Sequence, residues 1–125
     1  MKIILVIEDN SNLRENTCEI LELSGYEVYS AVNGMDGIAL AKEKKPHIIL
    51  CDIMMPEADG FVVLKELKTN SETSDIPVIF LTASAEKSDV IAGLGMGANG
   101  YIRKPFGPGE LFSEIELCLK EVNGE

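Results

Sequence analysis

Short apolar runs alternate with amphipathic stretches along the whole chain, and this alternation predicts an α/β domain built on an open parallel sheet with helices on both faces. Two further observations agree with it. The 125 residues and their mixed apolar and charged composition fit one globular domain, residues 1–125. The apolar runs also end on chemically capable side chains: Glu8 and Asp9, Asp52, Thr82 and Lys104. In an open parallel sheet the carboxyl ends of the strands form the ligand crevice, so these distant residues are expected to converge.

The elements follow in order. A first strand is predicted over residues 2–7, after which Asn10 and Ser11 can cap a helix carrying Leu13, Ile20 and Leu21 and stopping at Gly25. Residues 26–31 read as the second strand, with Val28 inside and Glu27 and Tyr29 on the alternate face. The second helix begins near Asn33 and Gly34, carries Ile38, Ala39 and Ala41, and must end before Pro46, because the residue preceding a proline avoids helical angles. Residues 47–52 form the third strand. A third helix from about Gly60 puts Phe61, Leu64 and Leu67 on one stripe, and the polar stretch 70–75 leads to the fourth strand, 77–81. A fourth helix is expected over 85–94 and the fifth strand over 100–103; Leu111, Phe112, Ile115 and Leu119 give the last helix its core face.

A formal charge of -10 argues against nucleic acid as a direct partner, since binding a polyanion relies on Lys and Arg neutralising phosphates. Cys18, Cys51 and Cys118 are odd in number and lie among apolar residues, which suits reduced buried thiols in a cytoplasmic protein. The first apolar run is too short for a signal-peptide core or a membrane span, so no membrane insertion is expected. His47 reads as structural. The stretch GMGANG (residues 95–100) spells a dinucleotide-binding pattern, but it follows a predicted helix and enters a strand, the reverse of the required context.

The terminal residues suit a metal-assisted phosphoryl site. Magnesium takes oxygen ligands at about 2.0–2.1 Å and usually only one or two carboxylates. Asp9 and Asp52 fit that demand, Glu8 can reach the ion through a water molecule, and Met54 can offer its backbone carbonyl, since its side chain offers a hard cation nothing. Asp52 can then act as a carboxylate nucleophile on phosphorus, with Lys104 and Thr82 facing the phosphoryl oxygens. Taken singly, the acids solvate a strand end, Thr82 caps a helix and Lys104 is a surface charge; their joint placement is what defines a site.

Four ordered segments, ILVIEDN (residues 4–10), IILCDIMMP (48–56) with Asp59 and Gly60, PVIFLTA (77–83) and GANGYIRKPF (97–106), make the chain resemble the receiver domains of response regulators in two-component signalling over essentially its whole length. The resemblance implies a flavodoxin-like doubly wound fold of five strand–helix units with strand order 2-1-3-4-5. It assigns Asp52 as phospho-acceptor, Glu8 and Asp9 as the acidic pair, Thr82 as the switch hydroxyl, Tyr101 as the switch aromatic and Lys104 as the phosphate-binding lysine, with Mg2+ as cofactor and Mn2+ as a substitute. It also suggests a cis bond between Lys104 and Pro105. Its implied partners are a sensor histidine kinase or histidine phosphotransfer protein upstream. Downstream it implies a protein target, or a second copy of the chain, at the face made by the fourth helix, the fifth strand and the last helix. Such a chain catalyses its own phosphorylation without being a turnover enzyme.

The acidic pair here is Glu-Asp where many members have Asp-Asp. Met54 and Ser84 flank the approach of a hydrolytic water in the family, and neither is an acid or amide that steers water, so slow self-dephosphorylation is expected. The rival reading, a magnesium-dependent haloacid-dehalogenase-like phosphatase, wants a second Asp two residues after the nucleophile, where this chain has Met54, and a cap domain to hold substrate. A flavin-binding flavodoxin would not require the acid–lysine set. The chain's end soon after the last core position suits either a free-standing regulator or a receiver from a longer protein.

Overall fold

In the computed structural model of the protein, the described residues are 1–55, 58–82, 95 and 97–123. They form β1 (Ile3–Ile7), α1 (Ser11–Leu23), β2 (Glu27–Ala31), α2 (Gly34–Lys44), β3 (Ile48–Asp52), α3 (Gly60–Thr69), β4 (Val78–Thr82), β5 (Gly100–Arg103) and a C-terminal helix (Pro108–Asn123). The fourth helix expected over 85–94 lies outside the described residues. All neighbouring strands pair in parallel, in the order β2-β1-β3-β4-β5. This is the flavodoxin-like order that the resemblance implies.

Successive strand residues point to opposite faces, and the core divides accordingly. Leu5, Ile7, Ile49 and Cys51 pack with Ile38, Ala41, Val63, Leu64 and Leu67 of α2 and α3. Ile4, Val6, Ile48 and Leu50 pack with Leu21 of α1 and with Leu111, Ile115 and Cys118 of the C-terminal helix. Both faces being covered, the inner strands are apolar at nearly every position. In β2, at the edge, Val28 and Tyr29 are both half-buried, each against a different one of these layers; the expected inside-and-outside division gives way to packing on both faces.

The remaining differences from expectation are of one residue. Pro77 precedes β4, having no N–H for the ladder, and its carbonyl accepts from Ile49 at 2.9 Å. Thr82 falls inside β4 as its last residue. His47 precedes β3 and has the structural role expected of it: its Nδ1 accepts from the Ile3 N–H at 3.0 Å, while its own N–H donates to the Ile3 carbonyl at 2.8 Å. Gly25, at φ 95°, ends the α1 turn, and Lys45 closes α2 at φ 46° just before Pro46.

Candidate functional site at the carboxyl edge of the sheet

β1 and β3 lie side by side with Ile7 opposite Cys51, so the residues that follow, Glu8 and Asp52, emerge together at the carboxyl edge. Next to them β4 and β5 pair Thr82 with Arg103, which delivers Lys104 to the same edge, its N–H donating to the Thr82 carbonyl at 2.7 Å. Glu8, Asp52 and Thr82 are buried, and Asp9 is exposed. The Lys104–Pro105 bond is cis, as the resemblance implies.

Lys104 Nζ donates to Glu8 Oε1 at 2.6 Å and lies 3.2 Å from Asp52 Oδ1. Asp52 Oδ1 also accepts from the Met54 N–H at 3.3 Å, and Glu8 Oε2 accepts from the Asn10 N–H at 3.3 Å. Burial pushes the Glu8 carboxyl up to about 7; the Lys104 hydrogen bond opposes this, and Asp52 adds to it. Burial alone would lower Lys104, but its hydrogen bond to Glu8 and the charges of Asp52 and Glu8 outweigh that, so its pKa is raised. Glu8 therefore rises chiefly because it is buried beside a second carboxylate, and Lys104 rises because both carboxylates favour its charged form.

Carboxylate oxygens of Glu8, Asp9 and Asp52 lie within 4.8 Å of one another. This all-oxygen set, with two members buried, has the chemistry and compactness that a hard divalent cation requires. It matches the acidic pocket at which receiver domains generally bind Mg2+. Cys51, next to Asp52, is no competing nucleophile: burial drives its thiol far up, and it donates to the Asp52 carbonyl at 3.4 Å.

The structure therefore brings together Glu8, Asp9, Asp52, Thr82 and Lys104. Glu8, expected to reach an ion through water, is tied directly to Lys104. Met54 contributes its N–H to Asp52 while its side chain is 73% exposed. Tyr101 sits on β5 opposite Phe80, two strand positions before Arg103, with its side chain 41% exposed. Ser84 lies outside the described residues. Two participants were given no role in the site from the sequence. Arg14 Nη1 donates to the Glu8 carbonyl at 2.9 Å, and Gly60 packs so closely beneath the end of β3 that a Cβ there would stand 2.7 Å from the Asp52 carbonyl oxygen. Gly60 belonged to a motif, but only the fold shows what it abuts.

A flavodoxin-like α/β domain with a lysine between acidic residues at its carboxyl edge is the architecture of a signalling receiver. The model of the response regulator receiver domain family matches residues 4–116, and the chain belongs to that family. It is 41% identical over 120 residues to a probable transcriptional regulator, ycf27, of Porphyridium aerugineum, a match covering 96% of this chain and 49% of that protein. It is 40% identical over 121 residues to the phosphate regulon transcriptional regulatory protein PhoB of Pseudomonas aeruginosa, covering 97% of this chain and 53% of that one. The chain thus spans about half the length of these curated relatives. Among solved structures, the chemotaxis protein CheY4 of Vibrio cholerae superposes with a TM-score of 0.91 at 28% identity, covering 94% of this chain and 98% of that one. A CheY-like receiver domain protein of Methanospirillum hungatei gives 0.92 at 29% identity, covering 99% and 98%. Among the described residues no helix is long and apolar enough to cross a membrane.

Proposed function

We propose that this chain is a phosphorylation-activated receiver that takes a phosphoryl group onto Asp52 from a sensor histidine kinase or histidine phosphotransfer protein. The observation that carries this reading is Lys104 Nζ held between Glu8 and Asp52, with Asp9 beside them, at the carboxyl edge of the sheet. A carboxylate oxygen of Asp52 attacks phosphorus, the bond from phosphorus to the donor's leaving group breaks, and an aspartyl phosphate forms. Asp9, Asp52 and the Met54 carbonyl would hold Mg2+, with Glu8 in support. Bound there, it would supply charge neutralisation for the phosphoryl oxygens and the attacking carboxylate. Lys104 pairs with the phosphoryl group once it shifts from Glu8, and the Thr82 hydroxyl donates to it.

Thr82 and the outward-facing Tyr101 are the switch. Moving Thr82 toward the phosphoryl group frees space for the Tyr101 ring to turn in, which alters the face around β5 and the C-terminal helix where a protein target or a second copy binds. Small-substrate turnover forms no part of this role, consistent with Met54 rather than an acid two residues beyond Asp52. The setting is the cytoplasm, where such kinases deliver their phosphoryl groups, and nucleic acid is not a direct partner of this acidic chain.

The test is the intact mass after incubation with MgCl2 and acetyl phosphate, beside an Asp52→Ala control. The expected result is a labile gain of one phosphoryl group, lost on chelation and absent from the control. A gain that persists in Asp52→Ala overturns the assignment. Followed in time, the phosphorylated form should decay slowly, because Met54 and Ser84 do not steer water; decay within seconds at room temperature contradicts that.

A further inference from the structure

The carbonyl of Glu8 is the first main-chain acceptor beyond the end of β1, and its partner comes from outside the sheet. The Glu8 N–H still donates to the Ala31 carbonyl at 3.1 Å. β2 ends at Ala31, and the Glu8 carbonyl takes its hydrogen bond from Arg14 Nη1 at 2.9 Å instead. Arg14 is half-buried on the first turn of α1, and its own N–H donates to the Asn10 carbonyl at 2.9 Å. Asn10 in turn caps α1 by accepting from the Leu13 N–H at 3.0 Å and donates its N–H to Glu8 Oε2 at 3.3 Å. The turn that carries both acids is therefore tied to the start of the helix that follows it. Because the peptide unit is planar, holding the Glu8 carbonyl also sets the plane from which the Asp9 Cα, and with it the Asp9 side chain, departs.

We propose that Arg14 is a positioning residue for the divalent-cation site: by gripping the Glu8 carbonyl it orients the Glu8–Asp9 peptide so that both carboxylates face Asp52. The proposal rests on the reading of this pocket as a Mg2+ site.

Its sign separates it from the simpler electrostatic role. A guanidinium near three carboxylates repels an incoming cation, so if Arg14 acted only as a nearby charge, removing it would tighten Mg2+ binding. A residue that holds the ligands in place gives the opposite result, since losing an outer partner of a ligand typically weakens metal affinity by about 10- to 100-fold.

The experiment is calorimetric titration of MgCl2 into the wild type, Arg14→Met, Arg14→Lys and Asp52→Asn. Arg14→Met keeps the apolar stem but lacks charge and donors; Arg14→Lys keeps the charge and one point donor. The expected result is binding weakened by on the order of tenfold in Arg14→Met, with Arg14→Lys in between. In the metal-free protein the Asp9 amide resonance should move in Arg14→Met while those of residues 3–6 stay, which shows the turn altered in an intact sheet. Unchanged or tighter Mg2+ binding in Arg14→Met, with wild-type binding present and lost in Asp52→Asn, overturns the role of Arg14 and leaves the site standing. A wild type that does not bind Mg2+ overturns the site and this proposal together.

Discussion

Lys104 is one ammonium set against two buried carboxylates, 2.6 Å from Glu8 and 3.2 Å from Asp52, and with Asp9 alongside the pocket carries surplus negative charge. Without a cation, burial, aided by the neighbouring Asp52, makes Glu8 the group that takes up a proton. Its pKa rises from 4.5 to about 7 on folding, so the folded protein binds that proton more tightly than the unfolded chain does. The resulting stabilisation is complete below about pH 4.5 and is lost as the pH rises through about 7. In metal-free buffer the wild type should therefore lose melting temperature between about pH 5.5 and 8 relative to Glu8→Gln, whose amide does not titrate. Saturating Mg2+ should flatten that difference, because a cation bound beside Glu8 favours its ionised form. A wild-type melting curve that gains on Glu8→Gln over this range would contradict the assignment.

Each of the first three helices starts where a strand delivers it to the carboxyl edge, and each is capped by a side chain accepting from the N–H three residues on: Asn10 from Leu13, Asn33 from Asp36 and Asp59 from Val62. The Asn10 cap was read locally and Asn33 was read as a helix start, since Asn ahead of an apolar periodic run satisfies the unpaired N–H groups of a first turn; Asp59 was not read as a cap. The closeness of α3 to β3 was not readable in this way. A Cβ on Gly60 would stand 2.7 Å from the Asp52 carbonyl oxygen and 2.8 Å from the Ile53 Cα, both of them backbone atoms that cannot swing aside. Gly60→Ala should therefore destabilise the protein by about 1–3 kcal/mol, against the gain of about 1 kcal/mol that alanine brings to an exposed helix position. It should also weaken Mg2+ binding by displacing Asp52. Urea unfolding and a metal titration check both effects, and a variant more stable than the wild type would show that α3 can retreat freely.

Taken whole, the molecule is strongly acidic, with a net charge of -10, and any cation will stabilise such a surface to some degree by relieving self-repulsion. A specific site behaves differently. Mg2+ at about one hundred times its dissociation constant should stabilise the wild type by about 2.7 kcal/mol, and Asp9→Asn and Asp52→Asn should lose most of that gain while keeping any diffuse ionic effect. Equal stabilisation of all three in urea melts would place the cation on the surface at large. By itself the sequence determined the α/β class, the strands with their order along the chain, and the presence of an acid, a hydroxyl and a lysine at the strand ends. All of these are written in local features: runs of apolar residues, helical periodicity, and the polar residues that close each run. The flavodoxin-like strand order was legible only through family resemblance, because pairing in space does not follow from local periodicity. Only the tertiary structure decided that Glu8 binds Lys104 across 96 residues of chain, that Arg14 serves the Glu8 carbonyl, that Gly60 lies under Asp52 and that Tyr101 faces outward. Those contacts depend on strand register and on which helix covers which face, and that is settled by the packing of the whole core.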